Sequence, residues 1–258
     1  MKWLRSIGIA FSMYSKIPMP NIIWSKESMR YAFCFFPLVG VVIGGLTWGI
    51  GGWLFQNIQA GKIPVLFSAV CLTLLPLLIT GGIHMDGFMD TSDARHSYCE
   101  REKKLEILKD PNTGAFAVIC MGMYLLWSVA VWSVASKEVL PGYAAGCIVS
   151  RTLSALSVTI CKGAKKDGLA ATFRDSAKRK AVCISTAVYL IGTALMLAAL
   201  GEILVLVTVF VASSGIFFWY LRMAKKEFGG ITGDLAGCFL QVCELGILTA
   251  LTAVTWIL

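Results

Sequence analysis

Charge is what this 258-residue sequence has least of. Charged residues make up 15% of the chain, against about 25% in a typical soluble domain, and hydrophobic residues make up 57%. Mean hydropathy is +0.74. Such a composition excludes an ordinary water-soluble domain and is typical of a protein with several membrane-spanning helices.

The sequence also lacks the patterns with which cysteine builds metal sites and disulfide frameworks. Its nine cysteines are scattered, most of them in apolar stretches, and no CxxC pair occurs. We therefore predict small buried thiols, no disulfide framework and no zinc site. A signal peptide is not expected either, because Lys16 and two prolines interrupt the apolar N-terminus, which we interpret as an amphipathic segment at the membrane surface.

Long apolar runs are abundant, and about 20 residues of helix cross the roughly 30 Å hydrocarbon core of a bilayer. The fold class we predict is all-α, a polytopic integral membrane helical bundle that forms one domain over residues 1–258. About seven transmembrane helices are expected, near residues 35–56, 63–80, 115–135, 139–161, 181–200, 203–221 and 238–257. The glycines of the first span favour close approach of another helix, although a plain flexible helix explains them as well: Gly40, Gly44, Gly45 and Gly49.

Basic residues are distributed unevenly between the predicted loops. Of the 23 lysines and arginines, all but Lys62, Lys137 and Arg151 lie in the N-terminal segment or in the loops after the second, fourth and sixth spans. Because lysine and arginine concentrate in cytoplasmic loops, we expect a cytoplasmic N-terminus and an outside C-terminus in the cell membrane. This distribution also explains the net charge of +8 without nucleic acid.

Acidic residues are scarce, and seven of the fifteen lie in one stretch, residues 80–114, together with both histidines. Within it, Asp86, Asp90 and Asp93 are spaced so that a helix would place all three carboxylates on one face. Three such carboxylates repel each other unless a cation lies among them, and hard oxygen ligands suit Mg²⁺ or Ca²⁺, of which Mg²⁺ typically takes one or two carboxylates plus substrate phosphates. A solvated acidic face at the start of a helix is the alternative.

Three further polar residues lie close to this stretch or within spans. His84 is either a hydrogen-bonded structural histidine or a general base. Arg151 and Glu244 fall inside predicted spans, where a charge costs about 2.5–3.5 kcal/mol. Arg151 is therefore a candidate for substrate contact, with a structural pairing as the alternative and Glu244 as the candidate partner.

The remaining candidates come from two loops on the side predicted to be cytoplasmic. Residues 229–234 (GGITGD) form a glycine-rich turn that can present backbone N–H groups to phosphate, and they include Thr232 and Asp234. The loop after the aspartates mixes both signs of charge, which is either a solvated surface or a site for an anionic substrate. Its candidates are Lys104, Glu106, Lys109 and Asp110.

The acidic stretch resembles a known signature. Its first part, TGGIHMDGFMDTSDA, is similar to the TGGxHxDGxxDTxDG pattern of the cobalamin synthase family, also called adenosylcobinamide-GDP ribazoletransferase. Other segments resemble that family in the same order along most of the chain: SKIPMP, FPLVG, REKKLEILKDPNTG, SRT, GLAATF and GGITGD. Ala94 stands where the pattern has glycine, and no carboxylate of the pattern is missing.

The resemblance implies a membrane enzyme that requires Mg²⁺ and has its active site, about residues 80–114, facing the cytoplasm. Its substrates would be adenosylcobinamide-GDP and α-ribazole or α-ribazole 5′-phosphate, and its products adenosylcobalamin or its phosphate, plus GMP. Asp86, Asp90 and Asp93 would bind metal, with Asp86, Asp90 and His84 in catalysis. Substrate contacts would come from Lys104, Glu106, Lys109, Asp110, Arg151, Thr232 and Asp234. The oligomeric state, a homo-oligomer included, stays open.

Two other functions are compatible with a membrane protein of this composition. A CDP-alcohol phosphotransferase also uses aspartates on membrane helices, but its DGxxAR pattern is not met, because Asp86-Gly87 is followed by Phe88-Met89-Asp90 and not by Ala-Arg at the expected place. A transporter or cation channel would place acidic residues within spans. Here the acids cluster in a loop, and only Glu244 is clearly inside a span.

Overall fold

The computed structural model describes residues 2–22, 24–164 and 168–257, and almost all of this chain is helical. Within these residues the only β feature is an isolated parallel bridge between Gly163 and Ile231. The helices, in chain order, are α1 Lys2–Tyr14, α2 Lys26–Met29, α3 Ala32–Gln59, α4 Val65–Thr80, α5 Ile83–His96, α6 Arg101–Ile107, α7 Ala115–Val134, α8 Leu140–Ile160, α9 Leu169–Ser176, α10 Arg179–Ala199, α11 Ile203–Met223 and α12 Gly233–Ile257.

Six helices are long and apolar enough to cross a membrane, and a seventh crossing follows if the bent pair α4–α5 counts as one span. The predicted all-α, multi-pass membrane fold is thus confirmed. The predicted boundaries differ at the last span, which begins at Gly233 and not at residue 238. The reason is local: the hydroxyl of Thr232 accepts a hydrogen bond from the N–H of Leu235 and so caps the helix five residues earlier.

The glycines of α3 account for its packing against α8. A Cβ atom built on Gly44 would lie 2.7 Å from the carbonyl oxygen of Ala144, and one on Gly40 would overlap the carbonyl of Cys147. Close helix approach is therefore confirmed at these two positions. Gly45 and Gly49 have open space around them, so the prediction is wrong there.

A sharp turn separates α4 from α5. Gly81 and Gly82 both have positive φ angles, 66° and 79°, which side chains other than glycine rarely adopt. The two helix axes meet at 96° as a result. Residues from Ile83 onward are therefore directed away from the line of α4, and the aspartates of α5 lie on a separate helix at one end of the bundle.

The basic segments of the sequence meet at this end, which we call the basic end (residues 2–22, 79–114, 162–164, 168–178 and 224–233). Two other basic residues of the same loops, Lys165 and Lys166, lie outside the described residues. Three contacts join the segments. The backbone N–H of Lys16 donates to the carbonyl of Ile79 (2.7 Å), and the backbone N–H of Ala164 donates to the carbonyl of Ile231 (3.0 Å). The side chain of Arg95 forms an ion pair with Glu227 (3.2 Å). Chain segments far apart in sequence thus build one surface.

Whether the α4–α5 pair crosses the membrane decides on which side the C-terminus lies. If it crosses, the two termini lie on opposite sides, and a periplasm-active phosphatase fused after Leu258 is expected to be active while a fluorescent protein fused there stays dark. The same two reporters at the N-terminus are the control and should behave in the opposite way. A cytoplasmic signal at both ends would contradict seven crossings and would mean that the α4–α5 pair enters and leaves the membrane on the same side.

Candidate active site

A cavity of about 450 Å³ opens at the basic end, in the size range of small-molecule sites. Six helices contribute to its walls: α1, α3, α5, α8, α9 and α12. Apolar side chains such as Phe33, Phe36 and Leu240 form much of the lining. Its ionisable and hydroxyl-bearing groups include His84, Asp86, Lys109, Ser154, Arg174, Thr232 and Asp234.

Close packing of α5 on α12 brings the two acidic residues of the cavity together. A Cβ atom built on Gly87 would lie 2.7 Å from the carbonyl oxygen of Asp234 and 2.9 Å from its Cα. One turn further, a Cβ on Gly237 would lie 3.2 Å from the carbonyl oxygen of His84. Because Gly87 and Gly237 have no side chains at the two crossing points, the backbones of α5 and α12 touch. Asp86 and Asp234 therefore line one cavity, although they are 148 positions apart in the sequence (234 less 86).

His84 faces the cavity with an unsatisfied nitrogen. Its side chain is buried, with 4% exposed, and its Nε2 atom has no hydrogen-bonding partner in the described part of the chain. Aromatic rings hold the imidazole: Tyr14 stacks on it at a centroid distance of 5.9 Å, and Phe36 lies edge-on at 6.0 Å. A buried polar atom without a partner is costly, so this nitrogen is available to a bound ligand.

The N-terminus of α12 opens into the same cavity. Thr232 is buried, and its hydroxyl lies 3.4 Å from the carboxylate of Asp234. Thr232, Gly233 and Asp234 all line the cavity. The first N–H groups of a helix have no partner within the helix and favour anions, so this end of the cavity suits a phosphate group.

The third aspartate of the stripe has a structural role. Both carboxylate oxygens of Asp93 accept backbone hydrogen bonds from the start of α7, from the N–H of Gly114 (2.6 Å) and of Ala117 (2.8 Å). A Cβ on Gly114 would lie 2.6 Å from the same carboxylate, so only glycine fits there. Asp90, one turn before Asp93, is half-buried and, like Asp93, does not belong to the cavity lining.

The expected metal site on three aspartates stays a prediction. Residues 2–22, 24–164 and 168–257 contain no group of three or more His, Cys, Asp or Glu side chains placed to hold a metal ion by themselves. What the cavity offers is two carboxylates, those of Asp86 and Asp234. Mg²⁺ typically takes one or two protein carboxylates and completes its shell with substrate phosphates and water, so this pair fits such an ion.

Arg151 and Glu244 form a buried ion pair in the middle of the bundle. Arg151 Nη1 donates to Glu244 Oε1 (2.6 Å) and to the carbonyl of Cys147 (2.9 Å), and Ser150 also donates to that carboxylate (2.9 Å). Arg151 is 1% exposed, its Nε has no partner, and it does not line the cavity. Of the two possibilities for Glu244, partner of Arg151 or member of the site, the structure shows the pairing, while a substrate contact by Arg151 stays a prediction.

The loop candidates separate into two groups. Lys109 lines the cavity, whereas Lys104 pairs with Glu227 (3.0 Å) beside a neighbouring open groove. Glu106 pairs with Lys103 on the surface (2.9 Å), and this hydrogen bond raises the pKa of the Lys103 ammonium group.

Asp110 belongs to the surface group as well. Its carboxylate accepts the backbone N–H (2.9 Å) and the amide (2.7 Å) of Asn112, and these bonds lower the pKa of Asp110. Five of the sequence candidates therefore line the same cavity: His84, Asp86, Lys109, Thr232 and Asp234. The structure places Lys104, Glu106 and Asp110 outside the cavity, as it does Asp90, Asp93 and Arg151.

Three of the ionisable or hydroxyl-bearing cavity residues do not appear among the sequence candidates. Tyr14 comes from the amphipathic N-terminal helix, Ser154 from a span and Arg174 from a basic loop. Nothing in local spacing distinguishes Tyr14 or Ser154 from ordinary helix residues. Arg174 directly follows GLAATF, one of the segments that resemble the cobalamin synthase family, and that adjacency was the available signal.

Comparison with known proteins gives the chain its family. The profile of the family described as Cobalamin-5-phosphate synthase (CobS) matches residues 6–252. The chain belongs to this family. No solved structure matches the chain.

Relatives named adenosylcobinamide-GDP ribazoletransferase extend over nearly the whole chain. The protein of Lachnoclostridium phytofermentans is 48% identical over 248 residues, which cover 95% of this chain and 92% of the relative. That of Clostridium perfringens strain SM101 is 30% identical over 95% of this chain and 96% of its own. That of Geobacillus sp. strain WCH70 is 32% identical over 92% and 89%.

Membership in the cobalamin-5-phosphate synthase family confirms the resemblance seen in the aspartate signature. It also decides against the CDP-alcohol phosphotransferase and transporter interpretations, since the match spans the chain from the N-terminal helix to α12. The roles of individual residues in this family member stay predictions, and the geometry above determines which of them are placed to meet a common ligand.

The capping role of Asp93 predicts a loss of stability that needs no metal. Asp93→Asn keeps the size of the side chain but removes one acceptor, so that a half-buried N–H at the start of α7 loses its partner, at a cost of about 1–2 kcal/mol. The thermal unfolding midpoint in detergent, measured with EDTA present, should fall. Glu102→Gln, on the exposed face of α6, is the control and should leave it unchanged. An unaltered midpoint for Asp93→Asn would contradict the structural role.

Proposed function

We propose that this chain is an adenosylcobinamide-GDP ribazoletransferase. It would join adenosylcobinamide-GDP with α-ribazole, or its 5′-phosphate, to give adenosylcobalamin, or its phosphate, and GMP. Support comes from the name shared by relatives that match nearly the whole chain. The observation that carries the proposal is the cavity in which two carboxylates, an unpartnered imidazole nitrogen and a helix N-terminus converge.

The proposed reaction breaks one phosphoanhydride bond and forms one phosphate ester bond. A ribose hydroxyl oxygen of the acceptor forms a bond to the phosphorus next to cobinamide, and the bond from that phosphorus to the bridging oxygen breaks, so GMP leaves with that oxygen. In the 5′-phosphate acceptor the 5′ oxygen is blocked, and the products from the two acceptors differ only by that phosphate, so a hydroxyl on the ribose ring is the nucleophile in both cases. Such in-line displacements depend mainly on positioning and on neutralising charge.

Asp86 and Asp234 are the residues we assign to a Mg²⁺ ion. Their carboxylates line one cavity, and the backbone contact between Gly87 and Asp234 fixes the two helices relative to each other. Bound there, the ion would neutralise negative charge on the diphosphate. Asp90, on the next turn of α5, is the remaining candidate of the stripe, while both oxygens of Asp93 already accept backbone hydrogen bonds.

Other groups of the cavity would position the substrates. The N–H groups at the start of α12 and the side chain of Lys109 line the cavity and would bind phosphate oxygens there. His84 Nε2 is buried and has no partner among the described residues, so we assign it, in the tautomer that leaves this nitrogen unprotonated and together with the carboxylates, to the hydroxyl group that attacks. Tyr14 and Phe36 would keep the imidazole in place and exclude water from it.

The size of the cavity limits which part of the substrates enters it. About 450 Å³ suits a nucleotide-sized group and is too small for a whole corrinoid nucleotide. We infer that the diphosphate and the ribose of the acceptor lie inside, and that the corrin ring stays outside the mouth, where Asp86 and Lys109 are exposed.

We further propose that the basic end faces the cytoplasm of a bacterium whose cell membrane contains the enzyme. Among the described residues, this end holds most of the lysines and arginines, which concentrate on cytoplasmic surfaces. A site on that side would meet nucleotide substrates directly from solution.

The test is release of GMP by the purified protein in nanodiscs, with adenosylcobinamide-GDP, α-ribazole 5′-phosphate and Mg²⁺. We expect GMP and a corrinoid product of the joined mass, and loss of both with EDTA. Asp86→Asn and Asp234→Asn should each lower the rate by about 100-fold or more, as expected when one charge-stabilising group is lost.

Glu102→Gln is the matched control, because it removes one exposed carboxylate from the same end of the protein. It should retain the wild-type rate. Absence of GMP from folded wild-type protein that binds adenosylcobinamide-GDP would refute the proposed reaction, and equal, small effects of the three substitutions would refute the assigned site.

A further inference from the structure

Arg174 is the cavity cation to which none of the above assigns a role. It lies on α9, and the residues of this short helix that line the cavity are Ala170, Ala171 and Arg174. Positions three and four apart share one helix face. Because the two alanines are small and apolar, the guanidinium group is the polar feature that α9 presents to the cavity.

The position of α9 is fixed by aromatic packing. Phe173, next to Arg174, is fully buried and lies 5.9 Å from the ring of Trp24 and 5.7 Å from that of Phe33. These contacts tie α9 to the N-terminal segment and to α3. A helix of eight residues would not hold its orientation alone, so this packing determines where Arg174 points.

Gly163 leaves the space that the guanidinium group of Arg174 occupies, and we call this position the seat of Arg174. A Cβ atom on Gly163 would overlap Arg174 Nη1 and so could not coexist with the present side-chain position. Gly163 is bridged to Ile231, since Ala164 donates to the Ile231 carbonyl (3.0 Å) and Ile231 donates to that of Lys162 (2.8 Å). The seat of Arg174 is thus attached to the strand-like segment that leads into α12 and Asp234.

Among the described residues, most of the hydrogen-bonding capacity of Arg174 is unused. Nε donates to Asp175 (3.3 Å), whose side chain points largely into solvent, while Nη1 and Nη2 have no acceptor among the described residues. The side chain is 17% exposed, so it is mostly enclosed yet still accessible from the cavity. The planar fork of an arginine matches the oxygens of a phosphate group and binds them with two parallel hydrogen bonds.

We propose that Arg174, held on Gly163, binds a phosphate group of a substrate and determines the affinity for it. The proposal rests on the proposed function, which supplies two sources of this chemistry, the diphosphate of the corrinoid and the 5′-phosphate of the acceptor. The carboxylates of Asp86 and Asp234 repel phosphate oxygens unless a bound cation neutralises the negative charge. A phosphate group that lies away from the proposed metal ion therefore needs a positively charged side chain of its own.

The first measurement compares Arg174→Gln with Arg179→Gln, a change of the same charge at an exposed position of α10. Arg174→Gln should raise KM for the phosphate-containing substrate by about 10- to 100-fold, the range for losing hydrogen bonds between charged groups, with kcat within about threefold. Arg174→Lys should recover part of the loss. Arg179→Gln should match the wild type.

Two acceptors distinguish the sources of the phosphate. If KM rises for α-ribazole 5′-phosphate but not for α-ribazole, Arg174 binds the acceptor phosphate. If KM for adenosylcobinamide-GDP rises with either acceptor, it binds the diphosphate. Unchanged KM values for all three substrates in a folded Arg174→Gln protein would overturn the proposal.

Gly163→Ala tests the seat without altering charge. The added methyl group displaces the guanidinium, so we expect the same rise in KM as for Arg174→Gln, and no further rise in the double variant. Additive effects would overturn the role of Gly163.

Direct titration of the wild type and Arg174→Gln proteins with α-ribazole 5′-phosphate and with GMP, without turnover, tests phosphate binding separately. If wild-type protein makes no GMP but binds either compound through Arg174, the proposed reaction fails and the binding role stands. Equal affinities in both proteins overturn the binding role.

Discussion

The close approach of α5 to α12 is the constraint on which the cavity depends. Gly87 and Gly237 remove the side chains that would separate the helices, and the backbone of one helix then touches that of the other at Asp234 and His84. Asp86 and Asp234 reach a common space through this contact, and the capped N-terminus of α12 is placed beside them. The 96° bend at Gly81-Gly82 is the second requirement, because it turns α5 away from α4.

Among the described residues, the buried charges of Lys104, Arg151 and Glu244 are in ion pairs, and of the five buried side-chain atoms without a hydrogen-bonding partner only His84 Nε2 belongs to the cavity. The Arg151–Glu244 pair joins α8 to α12 below the cavity, and Asp93 secures the start of α7. Pairing of this kind matters because an unpaired buried charge is strongly destabilising. Against that background, the unsatisfied Nε2 of His84 and the unused Nη groups of Arg174 stand out. Both belong to the cavity, which is where a ligand would satisfy them.

Much of the fold could be predicted from the sequence, because crossing a bilayer demands long apolar helices whose length and loops leave a clear pattern. Helical spacing also placed Asp86, Asp90 and Asp93 on one helix, correctly. Helical spacing could not show that the acidic face of α5 packs against different helices along its length. Asp93 contacts the start of α7, whereas Asp86 lines the cavity together with the start of α12. That difference, like the seat of Arg174 on Gly163, depends on tertiary contacts between segments far apart in sequence.

The most direct test of the α5–α12 contact is the GMP release rate of Gly87→Ala, measured beside Gly122→Ala on protein shown to be folded. A methyl group at residue 87 meets the backbone of Asp234, whereas one at residue 122 meets nothing within 4 Å. Separating the helices by a fraction of an ångström to an ångström should misplace the two carboxylates and lower the rate by up to about 100-fold, with Gly122→Ala unaffected. Wild-type activity of a folded Gly87→Ala protein would contradict the account.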